Sequence, residues 1–164
     1  MRSMFRFGLA VAAILFVVDQ ASKLYVHDLL ASEGLVARAV LPFLNLVTVW
    51  NHGISFGLFN VAEGVVRWLF VALGMTVIAG LLVWLTRIED RLIGFSLGLA
   101  IGGAAGNLAD RVRFGAVFDF VDIHAFDWHF WIFNVADTGI SLGALALLVG
   151  GLLGHRPRAL GNET

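Results

Sequence analysis

The sequence predicts an all-α membrane protein: four transmembrane helices with a small β-containing extracytoplasmic region lying on the membrane. Three observations carry this expectation. Hydrophobic residues make up 59% of the 164-residue chain and charged residues only 14%, whereas a soluble domain is near half apolar and a quarter charged. Four long apolar stretches cover residues 7–26, 65–86, 92–112 and 134–154. Each approaches the ~20 residues that cross a hydrocarbon core. The two longer connections, 27–64 and 113–133, contain strand-like runs rather than ordinary loop composition.

The first stretch follows Arg2 and Arg6 and so resembles a signal peptide at its start. It continues through a polar patch, with no small-residue cleavage site close behind it, and reads as a retained helix. In the next connection, residues 41–50 read LPFLNLVTVW; β-branched and aromatic residues in such a run fit a short strand. The second stretch has no acid between Arg67 and Arg87. The third carries Gly94, Gly98, Gly102 and Gly106 at four-residue spacing. Ridges of this kind let helix backbones approach closely in lipid. We expect this one to face the fourth stretch, where Gly139, Gly143, Ala146 and Gly150 form a similar small face. Between them residues 117–123, VFDFVDI, alternate as a second strand. Trp50, Trp68, Trp128 and Trp131 fall near one boundary, where aromatic residues favour the interface.

The length allows a single domain, 1–164. A net charge of −1 provides no field for nucleic acid, and the absence of cysteine excludes disulfides, thiol catalysis and zinc–thiolate sites. Lys and Arg in the loops set the orientation. Arg2, Arg6, Arg87, Arg91, Arg156 and Arg158 fall on one side, so both termini are expected in the cytoplasm and the segments 27–64 and 113–133 outside.

Ionisable side chains inside a membrane segment are costly and rarely face lipid. Here they gather toward the outer helix ends. Asp19 and Lys23 are four apart, Asn107, Asp110 and Arg111 close the third stretch, and Asn134 and Asp137 open the fourth. The plain reading is a buried polar network that fastens the bundle; for Asp137 it is a carboxylate favoured by a helix N-terminus. The outer connection adds Asp119, Asp122 and Asp127. Position alone does not choose Asp119 over Asp122. Composition and spacing therefore end at a membrane protein with a carboxylate–amide cluster at its outer surface.

The motifs go further. D-Q-x-S-K at 19–23, N-x-G-x-S-F at 51–56, G-N-x-x-D-R at 106–111, V-F-D at 117–119 and F-N-x-A-D at 133–137 occur in this order. Together they resemble the lipoprotein signal peptidases, the type II signal peptidases of bacteria. The resemblance spans nearly the whole chain. It implies an aspartic endopeptidase of the bacterial cytoplasmic (inner) membrane, working at the extracytoplasmic face. The implied substrates are prolipoproteins, cut just before a lipobox cysteine that carries diacylglycerol. It maps the catalytic pair onto Asp119 and Asp137, and substrate-binding or supporting roles onto Asn51, Gly53, Asn107, Asp110, Arg111, Asn134, Asp19 and Lys23. We expect Asn107 and Asn134 to donate to carboxylate or substrate, and Asp110 to orient the Arg111 fork. No metal or cofactor is expected, and the partners are substrate and membrane lipid, with the chain a monomer. Two departures from the family pattern are Phe118, where a second valine is common, and Ile54, where alanine is common.

Two rival chemistries are weaker. Residues 53–57 match G-x-S-x-G around Ser55, but that motif has meaning only at a strand-to-helix turn with a separate His and acid. The five histidines are scattered, and no H-E-x-x-H is present. A transporter or channel using the carboxylates as an ion path needs polar groups at several depths, and here they lie near one face.

Overall fold

The computed structural model describes residues 2–53, 63–126 and 128–152. Ile54, Ser55, Asp127, Arg156, Arg158 and the end of the predicted fourth span lie outside the described residues. Among the described residues, four helices are long and apolar enough to cross a membrane: α1 (Arg2–Glu33), α2 (Glu63–Leu85), α3 (Arg91–Phe114) and α4 (Val135–Leu152).

α1 begins before and runs beyond residues 7–26 because nothing in the sequence breaks it before Gly34. There φ reaches 65°, and the Gly34 and Leu35 amides donate back to Ala31 and Leu30 carbonyls. This is a Schellman ending, for which glycine is the favoured residue. The added outer turns bury Val26 and Leu30 against Phe118 and Phe120. α3 starts on Asp90, whose carboxylate accepts from the Ile93 amide at 3.0 Å, and ends on Gly115 in the left-handed region.

α3 is the central element. Half of its spanning window is buried inside the protein, against 17%, 11% and 22% for α1, α2 and α4. The other three helices pack around it and turn apolar side chains such as Leu69, Leu73, Leu145 and Leu148 outward. Such outward apolar surface is stable only in lipid, so association of the helices depends on close packing rather than on water exclusion.

The glycine ridge of α3 provides that packing, but toward α1 rather than the expected α4. A Cβ on Gly98 would meet the Gly8 carbonyl at 2.6 Å, and one on Gly102 would meet backbone atoms of Ala12. One on Gly106 would collide with the Asp19 carboxylate. α4 instead approaches through Gly103, which faces Ala136 and Ile140, and through Gly143, which faces Ser96 and Ala100. α3 thus presents two small faces. A four-residue spacing reports one of them and does not say which helix receives it.

At the outer end a four-stranded antiparallel sheet runs in the order β1 (Ala37–Leu41), β2 (Leu44–Asn51), β3 (Val117–Ala125) and β4 (Trp128–His129). Residues 41–50 and 117–123 supply β2 and β3; β1 and the two-residue β4 carry too little pattern to be read from sequence. Trp50 packs on Phe114 and Phe118, while Trp68, Trp128 and Trp131 remain exposed.

Gly102→Ala should force α1 from α3, because the new methyl meets backbone that cannot rotate away; overpacking costs about 1–3 kcal/mol. Gly80 has open space around it, so Gly80→Ala should keep or raise stability. Thermal unfolding in detergent should show a clearly lower midpoint for the first variant only.

Candidate active site

The site forms where α1, α3, β3 and the start of α4 meet. Its base is an ammonium group. Lys23 is buried, and its Nζ lies 2.9 Å from Asp19 Oδ2, 2.9 Å from Asp110 Oδ2 and 3.1 Å from Asn107 Oδ1. A lysine has three donors, and all three are used. Both acids then reach further elements. Asp19 Oδ1 accepts the Ala136 amide at 2.9 Å, in the first turn of α4. Asp110 Oδ2 accepts the Phe118 amide at 3.2 Å, at the start of β3.

Asn134 caps α4. Its Oδ1 accepts from the Asp137 amide at 2.9 Å, and Asp137 Oδ2 accepts from the Asn134 amide at 3.3 Å. This is the reciprocal capping box with Asn and Asp in place of Ser and Glu, and it explains the three-residue spacing in F-N-x-A-D. Asp137 is therefore both a capping carboxylate and the residue that opens onto the site.

Asp119 projects from β3. Asn51 on β2 pairs with Val117, so Asp119 is its diagonal neighbour on one face of the sheet. Asn51 Nδ2 donates to Asp119 Oδ2 at 2.9 Å, and Asn134 Nδ2 donates to Oδ1 at 2.6 Å. Asn107 Nδ2 donates to Asp137 Oδ1 at 2.7 Å.

The three carboxamides share one logic. Each oxygen is taken by another donor: Gly53 N–H for Asn51, Lys23 and Asn134 for Asn107, and Asp137 N–H for Asn134. Each NH2 is thereby turned toward Asp119 or Asp137. The carboxylates are solvated by dipoles fixed in advance, without added positive charge.

Arg111 does not follow the expectation that Asp110 orients it. The Asp110 oxygens are held by Gln20, Lys23 and the Phe118 amide. The Arg111 guanidinium instead lies over the Phe70 ring, 5.1 Å from its centroid, and contacts the Asn107 carbonyl at 3.5 Å. Its nearest acidic charges are Asp137, Asp119 and Asp110. Gly53 sits at φ 93°. Gln20 had no assigned role, although it stands inside D-Q-x-S-K; its amide donates to Asp19 and Asp110 and its oxygen accepts from Arg113.

Asp122, three residues beyond Asp119, points to the other face of β3. It is held by Asn45 at 3.0 Å and by His129 Nδ1 at 2.9 Å. A cavity of about 480 Å³ borders Asn51 and Asp137, with walls that include Phe130, Trp131, Phe133 and Leu142. It joins the polar site to an apolar surface.

The two acids of β3 are shifted in opposite directions. Burial pushes Asp119 up most strongly and the Asp137 charge adds to it, while the Asn51 and Asn134 hydrogen bonds and Lys23 oppose; the result is a rise from 3.8 to about 6. Burial also pushes Asp122 up, but the bonds from His129 and Asn45 and the nearby histidine charges outweigh it, leaving it below the ordinary value. The signs are opposite. Asp119 favours the folded state when protonated, a contribution present below its ordinary value and lost as pH rises through about 6. Asp122 favours it when ionised, a contribution present above the ordinary value and lost as pH falls through its lowered one.

Four crossing helices, with two aspartates joined through carboxamides at one end, define a multi-pass membrane protein with a paired-carboxylate site. A family model described as signal peptidase (SPase) II matches residues 11–153. A lipoprotein signal peptidase of Methylobacterium sp. (strain 4-46) is 49% identical over 145 residues, covering 87% of this chain and 86% of its own. One from Methylobacterium radiotolerans is 42% identical over 160 residues, covering 94% and 92%. One from Caulobacter vibrioides is 41% identical over 145 residues, covering 88% and 85%. Two solved structures, each described as a bacterial membrane enzyme, share the fold. Their TM-scores are 0.72 at 22% identity, covering 96% of this chain and 94% of that one, and 0.74 at 24% identity, covering 89% and 92%. The chain belongs to the signal peptidase II family and is a protease.

Asn51→Ala removes the strongest contact that favours the charged form of Asp119. The Asp119 titration midpoint should therefore move above its wild-type value of about 6. Carboxyl NMR of aspartate-labelled protein checks the direction; a midpoint that moves down contradicts it.

Proposed function

We propose that the chain is an aspartic endopeptidase that removes signal peptides from prolipoproteins, cutting just before the diacylglyceryl-modified cysteine. Asp119 and Asp137 are its catalytic pair. One observation supports this above the rest: acids from a strand and from a separate helix are joined through two linked carboxamides, Asn134 donating to the Asp119 carboxylate, Asn107 donating to that of Asp137, and Asn134 donating to Asn107. Asp137 and Asn51, the amide partner of Asp119, both line the cavity, which gives a substrate a way to the pair.

The chemistry follows from the pair. Two nearby carboxylates do not both ionise easily, so they hold one proton between them. The ionised member takes a proton from water, which attacks the scissile carbonyl carbon. The protonated member gives its proton to the carbonyl oxygen, forming a gem-diol. Return of a proton to the leaving nitrogen breaks the C–N bond. Because the acids titrate as a unit, neither is assigned the acid or base role. Asn107 and Asn134 hold the pair as charge moves between its members, and Arg111 supplies a fork for a substrate carbonyl. Asp19, Lys23 and Asp110 position these groups. The apolar cavity walls suit acyl chains beside an extended peptide, which can align with strand edges.

The proposed orientation places both termini in the cytoplasm and the sheet on the outer side of the bacterial inner membrane. Arg87 and Arg91 flank the short α2–α3 turn, at the end opposite the site. Reporter fusions after Arg87 should report cytoplasm, and fusions near residue 124 the outer side. A cytoplasmic signal at 124 rejects this orientation.

Asp119→Asn and Asp137→Asn should each abolish cleavage of a lipidated prolipoprotein while the protein still inserts and folds. The double variant should be little worse than either single, since members of one catalytic unit are not additive. Asp122→Asn should retain most activity. Cleavage by both single variants rejects the aspartic mechanism.

A further inference from the structure

α2 contributes no hydrogen-bonding side chain to the paired-carboxylate site. Its outer part nevertheless packs against the end of α3. Arg67 donates to the Val112 carbonyl, Val71 is buried, and Gly74 lies beside Leu108. Between them on this face is Phe70.

The Phe70 ring touches two components of the site. Arg111 lies over it, with the guanidinium carbon 5.1 Å from the centroid. Its edge also fills the space where a side chain on residue 53 would stand: a Cβ on Gly53 would lie 2.7 Å from Cε2 and 2.9 Å from Cζ. Gly53 is thus restricted twice, by its φ of 93° and by this ring. The Gly53 amide then holds Asn51 Oδ1 at 2.9 Å, and Asn51 Nδ2 holds Asp119 at 2.9 Å. Both links are short and rigid. One ring therefore backs the amide donor of Asp119 and also the cation beside the pair.

We infer that Phe70 is a positioning residue for the peptidase reaction, setting Asn51 through Gly53 and setting Arg111 through its ring face. This rests on the reading of Asp119 and Asp137 as the catalytic pair. An aromatic face binds a guanidinium more strongly when desolvated, and a leucine offers neither that face nor the flat edge beneath Gly53. Phe70→Leu should leave Arg111 and the 51–53 turn free to shift. The acids would remain, but their partners would be displaced.

The test uses the full chain in detergent with a fluorogenic diacylglyceryl-modified peptide. Wild type, Phe70→Leu, Asn51→Ala and the double variant are compared for kcat and KM across about pH 5–8, which brackets the titration of Asp119 near 6, alongside thermal unfolding. Phe70→Leu should lower kcat roughly tenfold to a hundredfold, as expected for a small misplacement of reacting groups. It should also move the alkaline limb of kcat/KM to higher pH, as Asn51→Ala does. On the Asn51→Ala background it should move the limb less than it does alone, because only the Arg111 route is then left. A Phe70→Leu protein with wild-type kcat overturns the proposal. So does a loss that tracks only the melting temperature while the limb stays in place, since packing alone then explains it. Should Phe70→Leu not fold, Phe70→Met, closer in volume and also without a ring, gives the same readouts. Asp119→Asn separates the two layers: full activity there rejects the catalytic pair itself, whereas a dead Asp119→Asn beside an unaltered Phe70→Leu rejects only the role of Phe70.

Discussion

The architecture depends on one buried cation. The Lys23 ammonium lies among Asp19, Asp110 and Asn107, all of them buried. A charge removed from water is tolerated only when every partner is present, and removing one member of such a group typically costs about 3–5 kcal/mol. The group persists because each member also binds something else. Asp19 completes the first turn of α4, Asp110 holds the leading amide of β3, and Asn107 holds Asp137. Three helices and the sheet are thus referred to a single atom. The glycines follow from the same demand. Gly106 has no side chain because the Asp19 carboxylate occupies that space, and Gly98 and Gly102 bring α1 near enough for Lys23 to reach α3.

The amides turn this scaffold into a site. A carboxamide carries a donor NH2 and an acceptor oxygen of similar size, so an unrestrained Asn can turn either end toward a neighbour. Occupying the oxygen of Asn51, Asn107 and Asn134 with another donor removes that freedom. The acids consequently meet donors that need no reorganisation when charge moves, which is the usual origin of electrostatic preorganisation. An arginine or lysine in these places would favour the ionised form of both acids, whereas the proposed mechanism needs them to share a proton. Neutral dipoles allow the Asp119 carboxyl to stay near 6.

Much of this was legible in the sequence because lipid simplifies the reading. Four apolar stretches and the polar residues that interrupt them identify the spans and the set of residues that must meet. The F-N-x-A-D spacing also has a local meaning, the capping box. Relations between elements were not legible. A glycine ridge does not name its partner, and the α3 ridge met α1. Asp119 and Asp122 are alike as text and differ only because a strand sends them to opposite faces. Asp110 beside Arg111 suggested a pair, yet the helix turns Asp110 toward Lys23 and Arg111 toward Phe70. Phe70 gave no signal at all, since one more aromatic in an apolar helix is ordinary.

The bond between the first turn of α4 and Asp19 of α1 has a consequence in time. The first and last spans of the chain are made far apart during synthesis. Asp137 follows Ala136, whose amide is held by Asp19, so the start of α4 is seated on α1. On the proposed reading of Asp137, a ribosome-bound chain whose α4 is still unmade lacks half of the carboxylate pair. On that proposal, hydrolytic capacity arises only once α4 is seated on α1 and α3.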